Sequence, residues 1–203
     1  MKRNLRSLSL VLMTGIFFLL LSGCYVPENF DIKVKVNKDG SYVFSYYGTL
    51  VNVFALSEAK KGPLSKRDEA GLEKEAEAMR REPGFKEVKY MGSGRYKVVV
   101  EKTGKPGETY YFLSRELRIL AIEPQKDGSM QISSIRPQKK EIDELGSIGL
   151  KIAGVLTVSV ARGVKVLRHN AQKAPRFFGL FGAYVWEIKS PDANPVIVLR
   201  PAV

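Results

Sequence analysis

The side chains best able to do chemistry are few, because this chain of 203 residues has one cysteine, Cys24, and one histidine, His169. A single histidine excludes a two-histidine metal site within one chain. No Gly-x-Ser-x-Gly nucleophile motif accompanies His169, and no glycine-rich phosphate loop follows a predicted strand. The inventory therefore predicts a non-enzymatic protein with no cofactor and no metal, in which His169 is structural.

The residues before Cys24 have the organisation of a signal peptide. Three basic residues precede an uncharged run of 14 residues, Leu8 to Leu21. This length is typical of the apolar region of a signal peptide, and it is too short to cross a bilayer, which needs roughly 20 apolar residues. Small residues follow the run, so we expect cleavage before Cys24. An ordinary secretory signal with an incidental cysteine is the alternative.

Together, Leu21, Ser22, Gly23 and Cys24 resemble the lipobox of bacterial lipoproteins. The resemblance implies that residues 1–23 are removed and that the sulfur of Cys24 receives a diacylglyceryl group, often with acylation of the new amino terminus. Two or three acyl chains anchor a protein stably where one is marginal. The implied location is the outer membrane facing the periplasm in a Gram-negative host, and otherwise the outer face of the cytoplasmic membrane.

Removal of residues 1–23 leaves 180 residues, which is enough for a single domain with a sizeable core. We expect residues 24–29 to form a tether and residues 30–203 to form the domain. The net charge of +12 becomes +9, because the removed segment contains three basic residues and no acid. Such a charge suggests nucleic acid as a partner in the cytosol, but export excludes that partner. With Cys24 acylated, no thiol remains for a disulfide or a metal.

A long segment from Leu145 to Trp186 contains 42 residues and no acidic side chain. Bases without a counter-charge produce a positive field suited to an anionic ligand or a membrane surface. The alternative is that these bases alternate outward on strands as ordinary surface. The residues predicted to bind are Arg162, Lys165, Arg168, Lys173 and Arg176.

Large apolar side chains separated by glycines continue this segment as an aromatic loop. Aromatic residues beside bases are typical of a membrane interface, whereas the alternative, which we favour for the phenylalanines, is that they fill the end of a sheet. The aromatic members are Phe177, Phe178, Phe181 and Trp186.

The hydrophobic pattern predicts an α+β fold built mostly from short antiparallel strands. Residues 30–54 have the alternation of a β-hairpin around an Asp-Gly turn at 38–41, and the same four residue types recur at 126–129 between two further strands. We expect one main surface helix at about 64–82, which begins at Ser65 and presents a narrow apolar stripe. Residues 136–145 are predicted to form a helical turn or a loop. The sum is a curved sheet or a half-barrel beneath the helix.

The layout of lipobox, hairpin, helix, further strands and a late strand at 184–188 resembles that of LppM-type bacterial lipoproteins. The resemblance implies an α+β domain with a curved sheet that binds lipid or glycolipid. It leads to the hypothesis of a lipid-anchored, non-enzymatic module that binds a lipid, glycolipid or other amphiphile, with bases at the mouth of an apolar cavity. The alternative is an envelope assembly protein that docks a protein partner through a strand edge or the aromatic loop.

Overall fold

The computed structural model describes residues 25–115, 119–135, 137–175 and 182–202. These residues form eleven strands and three helices, an α+β arrangement in which the strands make two separate sheets, neither closed into a barrel. The strands are β1 Tyr25–Val36, β2 Tyr42–Asn52, β3 Phe85–Tyr90, β4 Arg95–Gly104, β5 Tyr110–Phe112, β6 Leu120–Pro124, β7 Met130–Ser133, β8 Ala153–Val160, β9 Lys165–His169, β10 Tyr184–Ile188 and β11 Val196–Arg200. The helices are α1 Val53–Lys61, α2 Lys66–Arg80 and α3 Lys139–Ser147.

The first sheet has six strands in the order β10-β8-β1-β2-β4-β3, and the second has five in the order β5-β6-β7-β11-β9. Both predicted Asp-Gly turns are confirmed, since they join β1 to β2 and β6 to β7 as antiparallel pairs. All pairings between these strands are antiparallel except that of β1 with β8, which is parallel. The prediction of a largely antiparallel α+β fold therefore agrees with the described residues.

One hydrophobic core joins the two sheets and α2. The ring of Phe112 on β5 lies 5.0 Å from that of Phe44 and 4.7 Å from that of Tyr46, both on β2. Helix α2 covers another part of the six-stranded sheet and buries Ala76 and Met79, as the predicted stripe requires. Phe44 and Tyr46 therefore face the second sheet, while α2 covers the sheet beside it.

The structure differs from the prediction of one main helix, because α1 and α3 accompany α2 in the described residues. Helix α1 follows β2 without a break where Asn52 caps it, and its first residues, Val53 and Phe54, continue the apolar run of the strand. In α3, the backbone N–H of Gln138 donates to the Glu141 carboxylate at 2.6 Å and so stabilises the first turn. Neither helix is as long as α2, and no described helix is both long and apolar enough to span a membrane.

Strand β1 defines two ends of the sandwich, here named the Tyr25 end and the Val36 end. At the Tyr25 end, Tyr25 pairs with Asn52, and the predicted tether residues 25–29 already belong to β1. At the Val36 end, the backbone N–H of Ala161 donates to the Val36 carbonyl, and that of Ala202 donates to the Lys38 carbonyl. The start of β1 is thus part of the sheet, and the domain has no free segment between Tyr25 and its core.

Candidate functional site

An apolar pocket of about 650 Å³ lies at the Tyr25 end, where α1 and α3 meet the ends of both sheets. Its volume lies in the range of about 300 to 1,000 Å³ that is usual for small-molecule sites. Apolar side chains contribute most of its lining, and serines contribute most of the remainder. The lining residues are Val26, Pro27, Phe30, Val53, Phe54, Ser57, Ile119, Ser134, Ile135, Pro137, Glu141, Glu144, Leu145, Ser147, Ile148, Ile152, Ile188, Ser190, Pro191 and Ala193. We call this feature the Tyr25-end pocket.

Strand β1 supplies one wall of the pocket through a local irregularity. The register between β1 and β2 shifts between Pro27 and Phe30, at a proline that has no N–H to donate to the ladder. Phe30 pairs with Gly48 on β2 and with Gly154 on β8, so both neighbouring strands lack a side chain beside it. The two glycines make room for the Phe30 ring, which contributes to the pocket wall.

The two short helices are held together beneath the pocket by a small second core. Leu56 on α1 and Leu150 after α3 are buried in it with Val26 and Val51. The Lys60 ammonium also donates a hydrogen bond to the carbonyl of Ser147 at the end of α3. Because α1 and α3 each contribute to the lining, this second core sets the spacing of the pocket walls.

Exposed apolar side chains mark the pocket mouth. Phe54 is 68% exposed and Ile135 is 46% exposed, and both belong to the lining. Of the lining residues within the described ranges, only Glu141 and Glu144, both on α3, are charged. The pocket therefore offers an apolar volume with an apolar rim and a short acidic edge.

The predicted basic residues do not converge on this pocket. Arg162 lies in the turn after β8 at the Val36 end, and Lys165 opposes Arg200 on β11. Arg168 donates to the side-chain oxygen of Gln131 at 3.3 Å, and Lys173 forms an ion pair with Glu187 at 2.7 Å. The expected arrangement of bases around a cavity mouth is therefore absent from the lining that the structure describes.

Of the predicted aromatic loop, only Trp186 is among the described residues. It lies within β10, is 4% exposed, and donates its indole N–H to the Asn170 side chain at 2.8 Å. This bond connects β10 of the first sheet to the segment that follows β9 of the second. Trp186 thus closes one side of the core. Arg176, Phe177, Phe178 and Phe181 lie outside the described residues, as do Leu21, Ser22, Gly23 and Cys24.

His169 occupies an exposed position at the end of β9. Its ring meets the Tyr184 ring edge-on with centroids 4.7 Å apart, and its Nδ1 accepts a hydrogen bond from the backbone N–H of Ala171 at 3.1 Å. Within the described part of the chain, no three His, Cys, Asp or Glu side chains are grouped so as to hold a metal ion. The two contacts of His169 are thus with Ala171, two residues later, and with Tyr184, the first residue of β10.

A second cleft, between α1 and α2, is polar. At its base the Tyr96 hydroxyl donates to the Glu75 carboxylate at 2.6 Å, and the Asn52 amide lies 3.5 Å from the same carboxylate. Burial and the neighbouring Glu75 carboxylate raise the pKa of both Tyr25 and Tyr96 well above the usual range. These phenols stay protonated at neutral pH, which suits a structural network joining α2 to the sheet rather than a nucleophile.

Sequence reasoning missed the residues that line the Tyr25-end pocket. Phe54 ends a run of aromatic and β-branched residues that predicts a strand, so the sequence gives no sign of helix α1 at this position. Ile142 and Leu145 of α3, together with Ile148 directly after it, follow a three-residue spacing that indicates an amphipathic turn. The surrounding charges hide that spacing, and the sheet ends that complete the pocket come from distant parts of the chain.

No family model matches the sequence, and no curated protein matches it. Among solved structures, the folded domain of Mycobacterium tuberculosis LppM has a TM-score of 0.40 at 10% identity, over 85% of this chain and 89% of that one. Native yeast LTA4 hydrolase has a TM-score of 0.29 at 9% identity, over 86% of this chain and 29% of that one. Both TM-scores lie below 0.5, so neither structure assigns a function or a residue role here.

Proposed function

We propose that this protein is a lipid-anchored lipoprotein of the bacterial envelope whose folded domain binds a lipid, glycolipid or other amphiphile without catalysing a reaction. The observation that carries the proposal is the Tyr25-end pocket, an apolar volume of about 650 Å³ with an open rim. An acyl chain fits such a lining because it gains about 0.8 kcal/mol for each methylene group removed from water. The serines of the lining supply hydroxyl groups for the polar part of the same ligand.

The anchoring part of the proposal rests on the sequence Leu21-Ser22-Gly23-Cys24 after an uncharged run. Acylation at Cys24 would hold the domain at the outer face of the cytoplasmic membrane or, in a Gram-negative host, at the periplasmic face of the outer membrane. Envelope lipids are then the amphiphiles at the highest local concentration. Their availability favours a lipid over a soluble ligand.

The non-enzymatic part of the proposal rests on the chemistry of the pocket lining. Among the residues that the structure describes, the lining contains no histidine, cysteine or lysine, and its two carboxylates have structural or surface partners. Glu141 accepts from the backbone at the start of α3, and the exposed carboxylate of Glu144 lies 3.8 Å from the Lys140 ammonium. Binding needs no more than this lining provides, whereas general acid and base catalysis needs a pair of positioned groups with matched pKa values.

Native mass spectrometry of the Cys24→Ser protein, purified from its own host, tests both parts. We expect this protein in the soluble fraction and with a co-purifying lipid, because the anchor is lost while the pocket is intact. A Ser57→Phe change fills the pocket from α1 and should abolish the adduct. Glu58→Phe is the matched control, since the neighbouring Glu58 lines the cleft between α1 and α2 instead.

The results separate the two parts of the proposal. A Cys24→Ser protein that still sediments with membranes would contradict anchoring through Cys24. An adduct that persists in Ser57→Phe would contradict binding in the Tyr25-end pocket. If the Cys24→Ser protein carries no lipid but co-purifies with a stoichiometric protein partner, the second candidate function described next would be favoured.

A second candidate is an assembly protein that docks a protein partner. The observation that favours it is β9, which pairs only with β11 in the described residues and carries Leu167 at 44% exposure. The same strand carries Lys165 and Arg168, and charged side chains on a short edge strand are a common protection against strand pairing. The pocket therefore supports lipid binding better than this edge supports docking.

A further inference from the structure

We infer that the Tyr25-end pocket opens toward the bilayer that holds Cys24, with Phe54 and Ile135 in the membrane interface, so that the pocket takes its ligand directly from that leaflet. The inference rests on the proposed function, and it adds the orientation of the domain and the route of the ligand. It also assigns the membrane contact to the apolar rim instead of Arg162 and Lys165.

No flexible linker separates the acylation position from the described fold. Tyr25, the residue after Cys24, is 8% exposed and paired with Asn52, and Val26 is 9% exposed. Consecutive Cα atoms are 3.8 Å apart, so acyl chains on Cys24 begin within one residue of the sheet. The Tyr25 end is therefore held at the membrane surface by a covalent link and not by a flexible tether.

The pocket lies close to the covalent link between Cys24 and Tyr25. Val26 and Pro27, which directly follow Tyr25, belong to the pocket lining. Phe54 lies two residues after Asn52, which pairs with Tyr25 in the sheet. The pocket mouth and the acylation position thus lie at the same end of the sandwich. An acyl anchor on Cys24 therefore also holds the pocket mouth at the bilayer.

The third step is the chemistry of the rim. Phe54 and Ile135 are among the most exposed large apolar side chains of the described residues, and both lie at this mouth. An aromatic ring and a branched aliphatic side chain gain free energy on leaving water for the interface of a bilayer. A rim of this kind suits contact with lipid and allows an acyl chain to pass into the pocket without crossing water.

The last step concerns the basic residues. Strand β1 spans 12 residues, and at about 3.3 Å per residue the Val36 end is roughly 35 Å from the Tyr25 end. Arg162 and Lys165 lie at the Val36 end, several times the Debye length of about 8 Å from an upright membrane contact. In this orientation these two bases face away from the bilayer that carries the anchor.

The test uses depth-dependent fluorescence quenching on the full acylated protein in vesicles. The thiol of Cys24 is consumed by acylation and the chain has no other cysteine, so each introduced cysteine is a unique labelling position. Phe54→Cys and Ile135→Cys probe the rim, Lys126→Cys probes a turn at the Val36 end, and Leu167→Cys probes exposed apolar surface elsewhere. Each labelled protein is placed in phosphatidylglycerol and phosphatidylcholine vesicles with and without brominated acyl chains.

We expect labels at 54 and 135 to shift to shorter emission wavelength and to lose most of their emission to the brominated lipid, while labels at 126 and 167 change little. Quenching at 126 with none at 54 would overturn the inference, and so would a blue shift at 54 without quenching, since something other than lipid then covers the rim. Co-sedimentation of each labelled protein with the vesicles is recorded in parallel. Unquenched rim labels on proteins that still co-sediment disprove the orientation and leave the lipid adduct of the Cys24→Ser protein as a separate test of the proposed function.

Discussion

At the scale of single residues, Phe30 connects the fold to the pocket. Its backbone pairs with Gly48 on one side and Gly154 on the other, and its ring lies over Gly154 while it stacks on Tyr46 with centroids 6.3 Å apart. A Cβ atom on Gly154 would lie 2.5 Å from the nearest atom of the Phe30 ring and 2.5 Å from the Phe30 carbonyl oxygen. Both the Phe30 ring and the β1 backbone at Phe30 would have to shift to relieve these contacts, and the pocket wall would move with them.

A Gly154→Ala substitution is therefore expected to lower both stability and ligand binding. Overpacking of a core position costs about 1 to 3 kcal/mol, and displacement of the Phe30 ring should reduce the fraction of protein that carries a lipid adduct. Urea unfolding and native mass spectrometry measure the two effects.

Gly71→Ala is the matched control for that substitution. Gly71 lies on the exposed face of α2 with nothing within 4 Å of an added Cβ, so alanine should raise the free energy of unfolding by roughly 0.5 to 1 kcal/mol. Lipid binding should not change. Equal stability of Gly154→Ala and the parent protein would contradict the close contact with Phe30.

The residue scale also shows what the sequence could predict about the site. Cys24 is recognisable because it is one cysteine at one position after an apolar run. Phe54 and Ile135 belong to no motif, and they become site residues only because α1, α3 and the ends of two sheets meet around them. A cavity lined by apolar side chains has the same composition as a filled core, so its presence depends on tertiary packing.

At the scale of elements, short sequence motifs correctly predict the turns, which depend on neighbouring residues alone. Both Asp-Gly turns form as expected, and in each the aspartate accepts a hydrogen bond from the serine N–H two residues later, at 3.0 Å in Asp39 and in Asp127. The parallel pairing of β1 with β8 joins Asn29 to Ala153. No local pattern specifies a pairing over such a separation, so the division into two sheets could not be predicted.

The sequence pattern does not predict helix α1, because the helix begins at a side-chain hydrogen bond that is visible only in the folded structure. Asn52 is 8% exposed at the end of β2, and its side-chain oxygen accepts from the backbone N–H of Ala55 at 3.1 Å. Val53 and Phe54 favour a strand by propensity. The cap therefore decides that the chain turns into a helix at the pocket wall.

Removal of each helix cap tests this account. Asn52→Ala and Ser65→Ala remove the N-caps of α1 and α2, and each should lower the free energy of unfolding by about 1 kcal/mol, with up to about 2 kcal/mol for the buried Asn52. Only Asn52→Ala should also weaken lipid binding, because α1 lines the Tyr25-end pocket and α2 does not. Urea unfolding and the lipid adduct are the two measurements, and an equal loss of binding in Ser65→Ala would show that general destabilisation explains the effect.

At the scale of the whole molecule, tyrosines hold the layers together. Tyr42 and Tyr46 lie between the two sheets, and Tyr96 lies between the first sheet and α2. Burial is the first cause of the raised pKa of each of these phenols. The interior accommodates the protonated phenols but not the charged phenolates. Above the usual phenol pKa of about 10, the packing that joins the layers therefore requires these tyrosines to keep their protons.

This coupling predicts a loss of stability at alkaline pH. Burial raises the pKa of Tyr42 to about 12, whereas the unfolded chain releases the same proton near pH 10. Below pH 10 both states are protonated and the stabilisation is complete. Between pH 10 and 12 the folded state binds more protons, so the free energy of unfolding falls as pH rises, by roughly 1 to 3 kcal/mol for Tyr42.

The measurement is the urea midpoint across pH 8 to 12, followed by phenolate absorbance. Tyr42→Phe removes the titrating group and keeps the ring between the sheets, so its midpoint should fall less steeply than that of the parent protein above pH 10. All other titratable groups are the same in both proteins, so the difference between the two curves isolates the Tyr42 phenol. Parallel curves would contradict the coupling, because Tyr42 would then ionise without cost in the folded state.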